Sequence, residues 1–223
     1  MAVRLKTWHP DVTFGEAKVG ADEVDFYHVY RVMFPSIDAT AIATTAAIAT
    51  EAALAANVTT LDYPRNLRVT CAGGTADGTY GGTITINGLN QFGQAIQETF
   101  TIATAENGGT AVGTKVFATF ISGTANLTGD TAVATCNVGV GTAGTTTMFG
   151  LPFKVGGTKD LLNYSWGSAG GNAFVPASSL GSYVSTTQHA IKARTDFVGT
   201  SGFTAWLKST KDQSEDVTGV VGR

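Results

Sequence analysis

The sequence predicts an all-β protein: an antiparallel β-sandwich or jelly-roll-like core, an extended N-terminal arm and one short Ala-rich helix. Three observations predict it. Between residues 63 and 153, apolar and polar residues alternate with a period of two in a series of short segments, as in strands that lay one face on a core. Gly- and Asn-bearing joints separate the segments, and these residues supply the positive φ that a reversing chain needs. The 223 residues are 43% hydrophobic with a mean hydropathy of +0.11, enough to bury a core and too apolar for a disordered chain.

Residues 1–60 read as an arm or opening strand followed by an Ala/Thr-rich segment. The run DFYHVYRVMF at 25–34 is dense in aromatic and β-branched residues, which suit a pleated surface. Phe26, His28, Tyr30 and Val32 fall on one face and Tyr27, Val29, Arg31 and Met33 on the other. Neither face is polar throughout, so the strand is expected to be covered on both sides. Pro35 ends it. The Ala residues of IDATAIATTAAIATEAALAAN favour a helix within 44–56; its β-branched Thr residues favour an irregular loop instead.

Residues 61–153 form the central β-sandwich block. Leu67, Val69 and Cys71 alternate with Arg68 and Thr70; Ile84 and Ile86 alternate with Thr83, Thr85 and Asn87. Ile96, Phe100 and Ile102 oppose Gln97, Thr99 and Thr101. Val116, Ala118 and Phe120 share one parity against Phe117 and Ile121, while Ala132, Ala134, Cys136, Val138 and Val140 share another. Turns are expected at Gly73-Gly74, Gly81-Gly82, Asn87-Gly88 and Asn107-Gly108-Gly109. Residues 154–223 add further strands, one around Tyr164 and Trp166 and one at 202–208, packed on the same core. The polar tail KDQSEDVTGVVGR reads as loose.

Composition excludes several functions. Charged residues are 14% of the chain, against roughly 25% in an ordinary soluble domain. Solubility leans on charge, so a surface this neutral is expected to lie against other subunits. A net charge of −3 gives no basic face for nucleic acid. No apolar run of about 20 residues is present to span a bilayer. MAVRLKTWHPDVTF lacks the apolar stretch of a signal peptide, so synthesis and retention in a cytoplasm are expected.

Chemical motifs are equally sparse. His9, His28 and His189 are isolated, without metal-ligand spacing. No GxSxG elbow and no phosphate loop with its Lys-Ser/Thr is present. The acidic clusters at 22–25 and 212–216 lack the loop order of a calcium hand and read as solvated turns. Cys71 and Cys136 sit at apolar parity and read as two buried thiols acting as small hydrophobes. A disulfide between neighbouring strands is the alternative, disfavoured by a reducing compartment. No enzyme, cofactor or metal is expected.

The central block, from DYPRNLRVTCAGG through GGTITINGLNQFGQAIQETFTI and GTKVFATFISGT to FGLPF, resembles structural proteins of tailed-bacteriophage virions. The resemblance rests on a P-RN strand at 64–69, a hairpin at 90–98 ending in Glu98, and a GTKxF strand at 113–117. It covers roughly residues 61–153. It implies a capsid decoration (cement) or accessory head protein that bridges major capsid protein subunits and homo-oligomerises, with trimers natural at quasi-threefold positions. A tail-tube, neck or tail-terminator protein is the near alternative. Such a protein is made in a host cytoplasm and ends on the capsid surface of the virion. The expected capsid or inter-subunit contacts are Trp8, His9, Phe14, Phe26, Tyr30 and Phe34 of the arm, with Trp166 and Trp206, since aromatics concentrate binding energy. A glycan-binding adsorption module is a second alternative, hinted at by Asn163, Tyr164 and Trp166. A glycan depolymerase would need paired carboxylates, and the central strands offer Glu98 alone.

Overall fold

The structure is a computed structural model that describes residues 5–9, 12–19, 23–33, 42–44, 52–56, 60–72, 79–106, 108–129, 135–140, 147–168, 173–174, 176–193 and 201–210. It is all-β, with antiparallel sheets and two short 3-10 turns, Thr158–Asp160 and Ala177–Tyr183. In chain order the strands are β1 Leu5–His9, β2 Val12–Val19, β3 Glu23–Met33, β4 Ala43–Thr44, β5 Ala52–Ala53 and β6 Ala55–Ala56. Next come β7 Thr60–Ala72, β8 Thr79–Leu89, β9 Ala95–Glu106, β10 Gly108–Gly129 and β11 Thr135–Val140. The last are β12 Met148–Gly150, β13 Leu161–Ser168, β14 Ala173–Phe174, β15 Val184–Ser185, β16 Ala190–Lys192 and β17 Ser201–Thr210. The chain divides into two compact units, residues 36–142 and residues 1–35 with 143–223.

In the unit 36–142 the sheet order is β7–β10–β8–β9, with β11 on the outer side of β7. The alternation read from sequence places its residues as expected on β7, β8 and β9. Leu67, Val69, Cys71, Ile84, Ile86, Phe100 and Ile102 are buried in one core together with Cys136, Val138 and Val140, while Thr99 and Thr101 are exposed. Strand β10 is 22 residues long and turns the sheet onto itself. Its first half pairs with β7 and its second half with β8, with register shifts between Val112 and Val116 and between Phe117 and Thr119. The first half also lies across the core from β9: a Cβ at Gly113 would meet the Phe100 ring at 2.9 Å, and one at Gly109 would meet Ile102 at 3.2 Å. That curl is the sandwich-like arrangement.

The bulges also alter the parity expected of β10. Val116 and Phe117 are neighbours and both are buried, whereas Ile121 is 57% exposed. Each extra residue in a bulge swaps the face of every later residue in the strand, so one alternating pattern does not hold along β10.

The Ala/Thr segment is not helical where it is described. Its residues form the two-residue bridges β4, β5 and β6, and residues 45–51 lie outside the described part. The backbone groups that a helix would satisfy internally go to neighbouring strands: Ile42 N–H donates to Val138 O at 3.1 Å and Leu54 N–H to Gly123 O at 3.0 Å. Small side chains permit this close approach, and Leu54 fills the space that a Cβ at Gly123 would need.

The unit of residues 1–35 and 143–223 holds a six-stranded sheet in the order β1–β2–β3–β17–β13–β14, together with a small ladder of β12, β16 and β15. The N-terminal segment is therefore sheet and not an extended arm, since β3 pairs along its length with both β2 and β17. One face of β3 is covered: His28, Tyr30 and Val32 are buried. On the other face Val29 is half-buried and Arg31 exposed, so the expectation of cover on both sides does not hold. Phe203 of β17 centres an aromatic cluster, 6.0 Å from Tyr30, 5.3 Å from Phe149 and 5.4 Å from Tyr164 between ring centroids.

The two cysteines form a disulfide, contrary to the free thiols expected. The register of β7 with β11 sets Cys71 directly opposite Cys136, with Cα atoms 4.1 Å apart. Equal parity on adjacent strands brought the sulfurs together across a sequence separation of 65.

Candidate functional site

The three sequence motifs of the central block meet at one place, the bulge at 113–115 where β10 changes register. Strand β7 brings Asp62, Arg65 and Asn66; β9 brings Glu98; β10 brings Gly113, Thr114, Lys115 and Phe117. Arg65 shares the core parity of Leu67 and Val69 and is completely buried. A buried guanidinium needs an anion, and the Asp62 carboxylate three residues earlier supplies it through an ion pair with Arg65 Nη2. Asn66, also fully buried, donates from Nδ2 to the Gly113 carbonyl at 2.7 Å.

Glu98 closes the bulge from the other side. Its Oε1 accepts from the Thr114 amide at 2.6 Å, the Thr114 hydroxyl at 3.0 Å and the Lys115 amide at 3.3 Å. A bulge leaves ladder amides without strand partners, and a carboxylate that gathers them gives charge-assisted hydrogen bonds. Lys115 Nζ then donates to the Gln97 carbonyl at 2.7 Å. The hairpin before Glu98 is built by Asn90, whose Oδ1 accepts from the Phe92 and Gln94 amides at 2.9 Å each, with Gly93 at φ 75°. The arrangement fixes the backbone geometry of the bulge.

Of the aromatic contacts expected from sequence, Tyr30 and Trp166 share one face of their sheet and Trp206 lies on the other. Tyr30 is buried in the core of its sheet. Trp166 stands opposite Phe203, and Trp206 stands opposite Val29 and Asn163; the first row shares the core parity of Val32 and the second the opposite parity. Both tryptophans are half-buried. Trp8 and His9 lie in β1, Phe14 in β2 opposite His28, and Phe26 in β3 opposite Glu16. Phe34 falls outside the described residues. Tyr164 of the glycan-binding hint is fully buried, with its hydroxyl donating to the Lys192 carbonyl.

His28 and His189 serve packing and backbone support. His28 stacks on Phe153 at 3.9 Å between ring centroids, 19° from parallel, and burial pushes its pKa down to about 4. His189 adopts a left-handed backbone with φ 47°. Its carbonyl accepts from Leu151 N–H at 2.8 Å and its Nδ1 from Val155 N–H at 3.3 Å. Burial and the adjacent Lys154 hold the imidazole below its ordinary pKa. Among the described residues no group of three or more His, Cys, Asp or Glu side chains could hold a metal ion.

One outward face of the unit 36–142 carries neutral polar rows. Ser122, Asn87 and Gln97 form one cross-strand row and Thr124, Thr85 and Thr99 the next. Gln97 Nε2 donates to Asn87 Oδ1 at 2.8 Å, and the Thr85 and Thr99 hydroxyls lie 3.2 Å apart. Sequence reasoning missed Arg65, Asn66 and Glu98 as a set. Their signal was a charged residue at the apolar parity of a strand, Arg65 beside Leu67 and Glu98 beside Phe100. Comparison with protein-family models, curated proteins and solved structures finds no match.

Proposed function

We propose that this chain is a structural protein of a tailed-bacteriophage virion that decorates the capsid and stabilises it by bridging major capsid protein subunits. The observation that supports this reading is the fate of the motif residues. Asn66, Glu98 and Lys115 are engaged at the 113–115 bulge and Arg65 in a buried ion pair with Asp62, so the block that carries the resemblance acts as scaffold. The outward rows across β10, β8 and β9 carry Thr, Asn, Gln and Ser, with Ile121 and Val112 exposed on β10, a surface suited to protein contact. Cementing follows by linkage: a protein that binds only the assembled shell lowers the free energy of that state. Head particles lacking the protein are expected to break at lower temperature or milder osmotic shock, and purified protein to rebind expanded shells. Equal robustness, together with localisation to the tail by electron microscopy, would replace this reading with the tail-tube or neck alternative. A glycan-binding reading draws support from Trp206 beside Asn163 on a half-exposed row; binding of the isolated protein to a glycan array would favour it.

A further inference from the structure

The segment 151–155 leaves β12 and leads toward the 3-10 turn Thr158–Asp160. Its backbone is irregular, and Pro152 has no amide to give to a ladder. Its side chains nevertheless alternate, with Leu151, Phe153 and Val155 buried and Pro152 and Lys154 half-buried. Two histidines from different elements hold this strap. His189, just before β16, takes both ends: its carbonyl accepts from Leu151 N–H at 2.8 Å and its Nδ1 from Val155 N–H at 3.3 Å. It does so at φ 47°, in the left-handed region that asparagine and glycine enter more readily than histidine. His28 of β3 takes the middle, stacking on the Phe153 ring at 3.9 Å.

Both contacts are made by neutral rings. A nitrogen that accepts a hydrogen bond carries no proton, and in an imidazolium both ring nitrogens are donors. Protonation of His189 therefore sets donor against donor at Val155. Protonation of His28 places a charge in a site that is 5% exposed, which desolvation opposes. On the described elements around His189 the charged or titratable side chains are Lys154 of the strap, Lys159 and Asp160 of the first 3-10 turn, Tyr183 of the second and Lys192 of β16. Lys154 opposes protonation of the ring, and the Asp160 carboxylate is taken up by the Gly156 and Gly157 amides. The strands beside His28 set Phe14 and Leu207 opposite it, and the nearest charged residue on that parity is Glu16, opposite Phe26.

We propose that the segment 151–155 is an acid-released strap, held closed by neutral His28 and His189 and let go as the two rings take up protons. Opening frees the Val155 amide and brings Leu151, Phe153 and Val155 out of their buried sites, while the sheet of β3 and β17 stays paired. Local release of this kind needs less free energy than global unfolding. The inference goes beyond the capsid reading and does not depend on it.

The test follows backbone amide exchange by NMR in the full chain from about pH 7 to about pH 4, across the range in which histidines change charge. Rates are corrected for the intrinsic pH dependence of exchange, and ring-nitrogen shifts report the protonation of each histidine. At neutral pH His189 should show a protonated Nε2 and a bare Nδ1. As that ring titrates, Val155 should lose protection about tenfold or more, the worth of one hydrogen bond, while Ala205 and Leu207 of β17 keep theirs. His189→Asn tolerates the left-handed backbone, cannot titrate, and carries an amide oxygen on Cγ as histidine carries Nδ1. It should hold Val155 protected well into acid, and His189→Ala should expose Val155 at every pH. Combining His28→Phe with His189→Asn should keep Leu151 and Val155 protected over the whole range. Val155 protection that ignores the His189 titration overturns the proposal, as does a loss in His189→Asn, or in the double variant, equal to that of the native chain. A loss shared equally by Ala205 and Leu207 also overturns it, because the sheet would then be unfolding and no strap released.

Discussion

His28 shows how a residue with a catalytic reputation becomes a packing element. Its ring is 5% exposed and lies flat on Phe153, and burial lowers its pKa from 6.5 to about 4. The folded state thus binds its proton less readily than the unfolded chain. Stability from this group is complete above about pH 6.5 and falls as the pH drops from there to about 4. The shift corresponds to about 3 kcal/mol at most. The urea midpoint should fall over that range in the native sequence, and His28→Phe, which keeps the stacked ring but cannot titrate, should show a shallower decline. Parallel profiles would remove His28 as the cause. Glu98 is a second residue whose role is structural: Glu98→Ala leaves the Thr114 and Lys115 amides without their acceptor and should cost about 1–3 kcal/mol. Glu98→Gln keeps a carbonyl oxygen and should cost less, which paired urea titrations would read.

At the scale of elements, β7 from Leu67 onward, β8 and β9 were legible because each lays one parity on the core, as Val69, Ile84 and Phe100 do. What misled was glycine. Asn87-Gly88 has the composition of a hairpin turn, yet both residues lie inside β8, and the reversal comes later, at Asn90 and Gly93. Gly88 is required for proximity and not for a turn: a Cβ there would run into the Thr119 carbonyl and stand 2.8 Å from the Phe117 ring. Both atoms belong to the bulged stretch of β10, a partner 30 residues away in sequence by the register of Thr119 against Leu89, so no local pattern could reveal the demand. Gly88→Ala should therefore destabilise by about 1–3 kcal/mol through overpacking, measured as a lower midpoint of chemical unfolding. Alanine tolerated without loss would mean that β10 can draw back from β8 at this point. The Ala-rich stretch misled for a related reason, because helix propensity is weak beside strands that offer Ile42 and Leu54 backbone partners.

Over the whole molecule, the fold class was legible and the connectivity was not. The pairing of β3 with β17 joins residues near opposite ends of the chain, and local alternation carries no record of which strand lies beside which. The same blindness hid the disulfide. Parity placed Cys71 and Cys136 in a core but not on neighbouring strands, and only the β7–β11 register sets them opposite each other. The bond closes 65 residues containing β8, β9 and β10, and restricting a loop of that length in the unfolded chain stabilises the fold by about 4 kcal/mol in the chain-entropy account. Both sulfurs are buried among Val69 and Val138 of the same core, where reduced thiols would still pack as small hydrophobes. Reduction should thus leave the native β spectrum intact at room temperature while lowering the thermal midpoint by on the order of 10 °C. Circular dichroism melts with and without a phosphine reductant would measure this. Amide exchange would locate the loss in residues 36–142, because the cross-link lies wholly within that unit. The double variant Cys71→Ala with Cys136→Ala removes the bond but also trims the core, so it should melt below the reduced native chain. A midpoint indifferent to reductant, in protein whose disulfide is shown by mass to have opened, would place the entropy of loop closure outside what holds this sheet together.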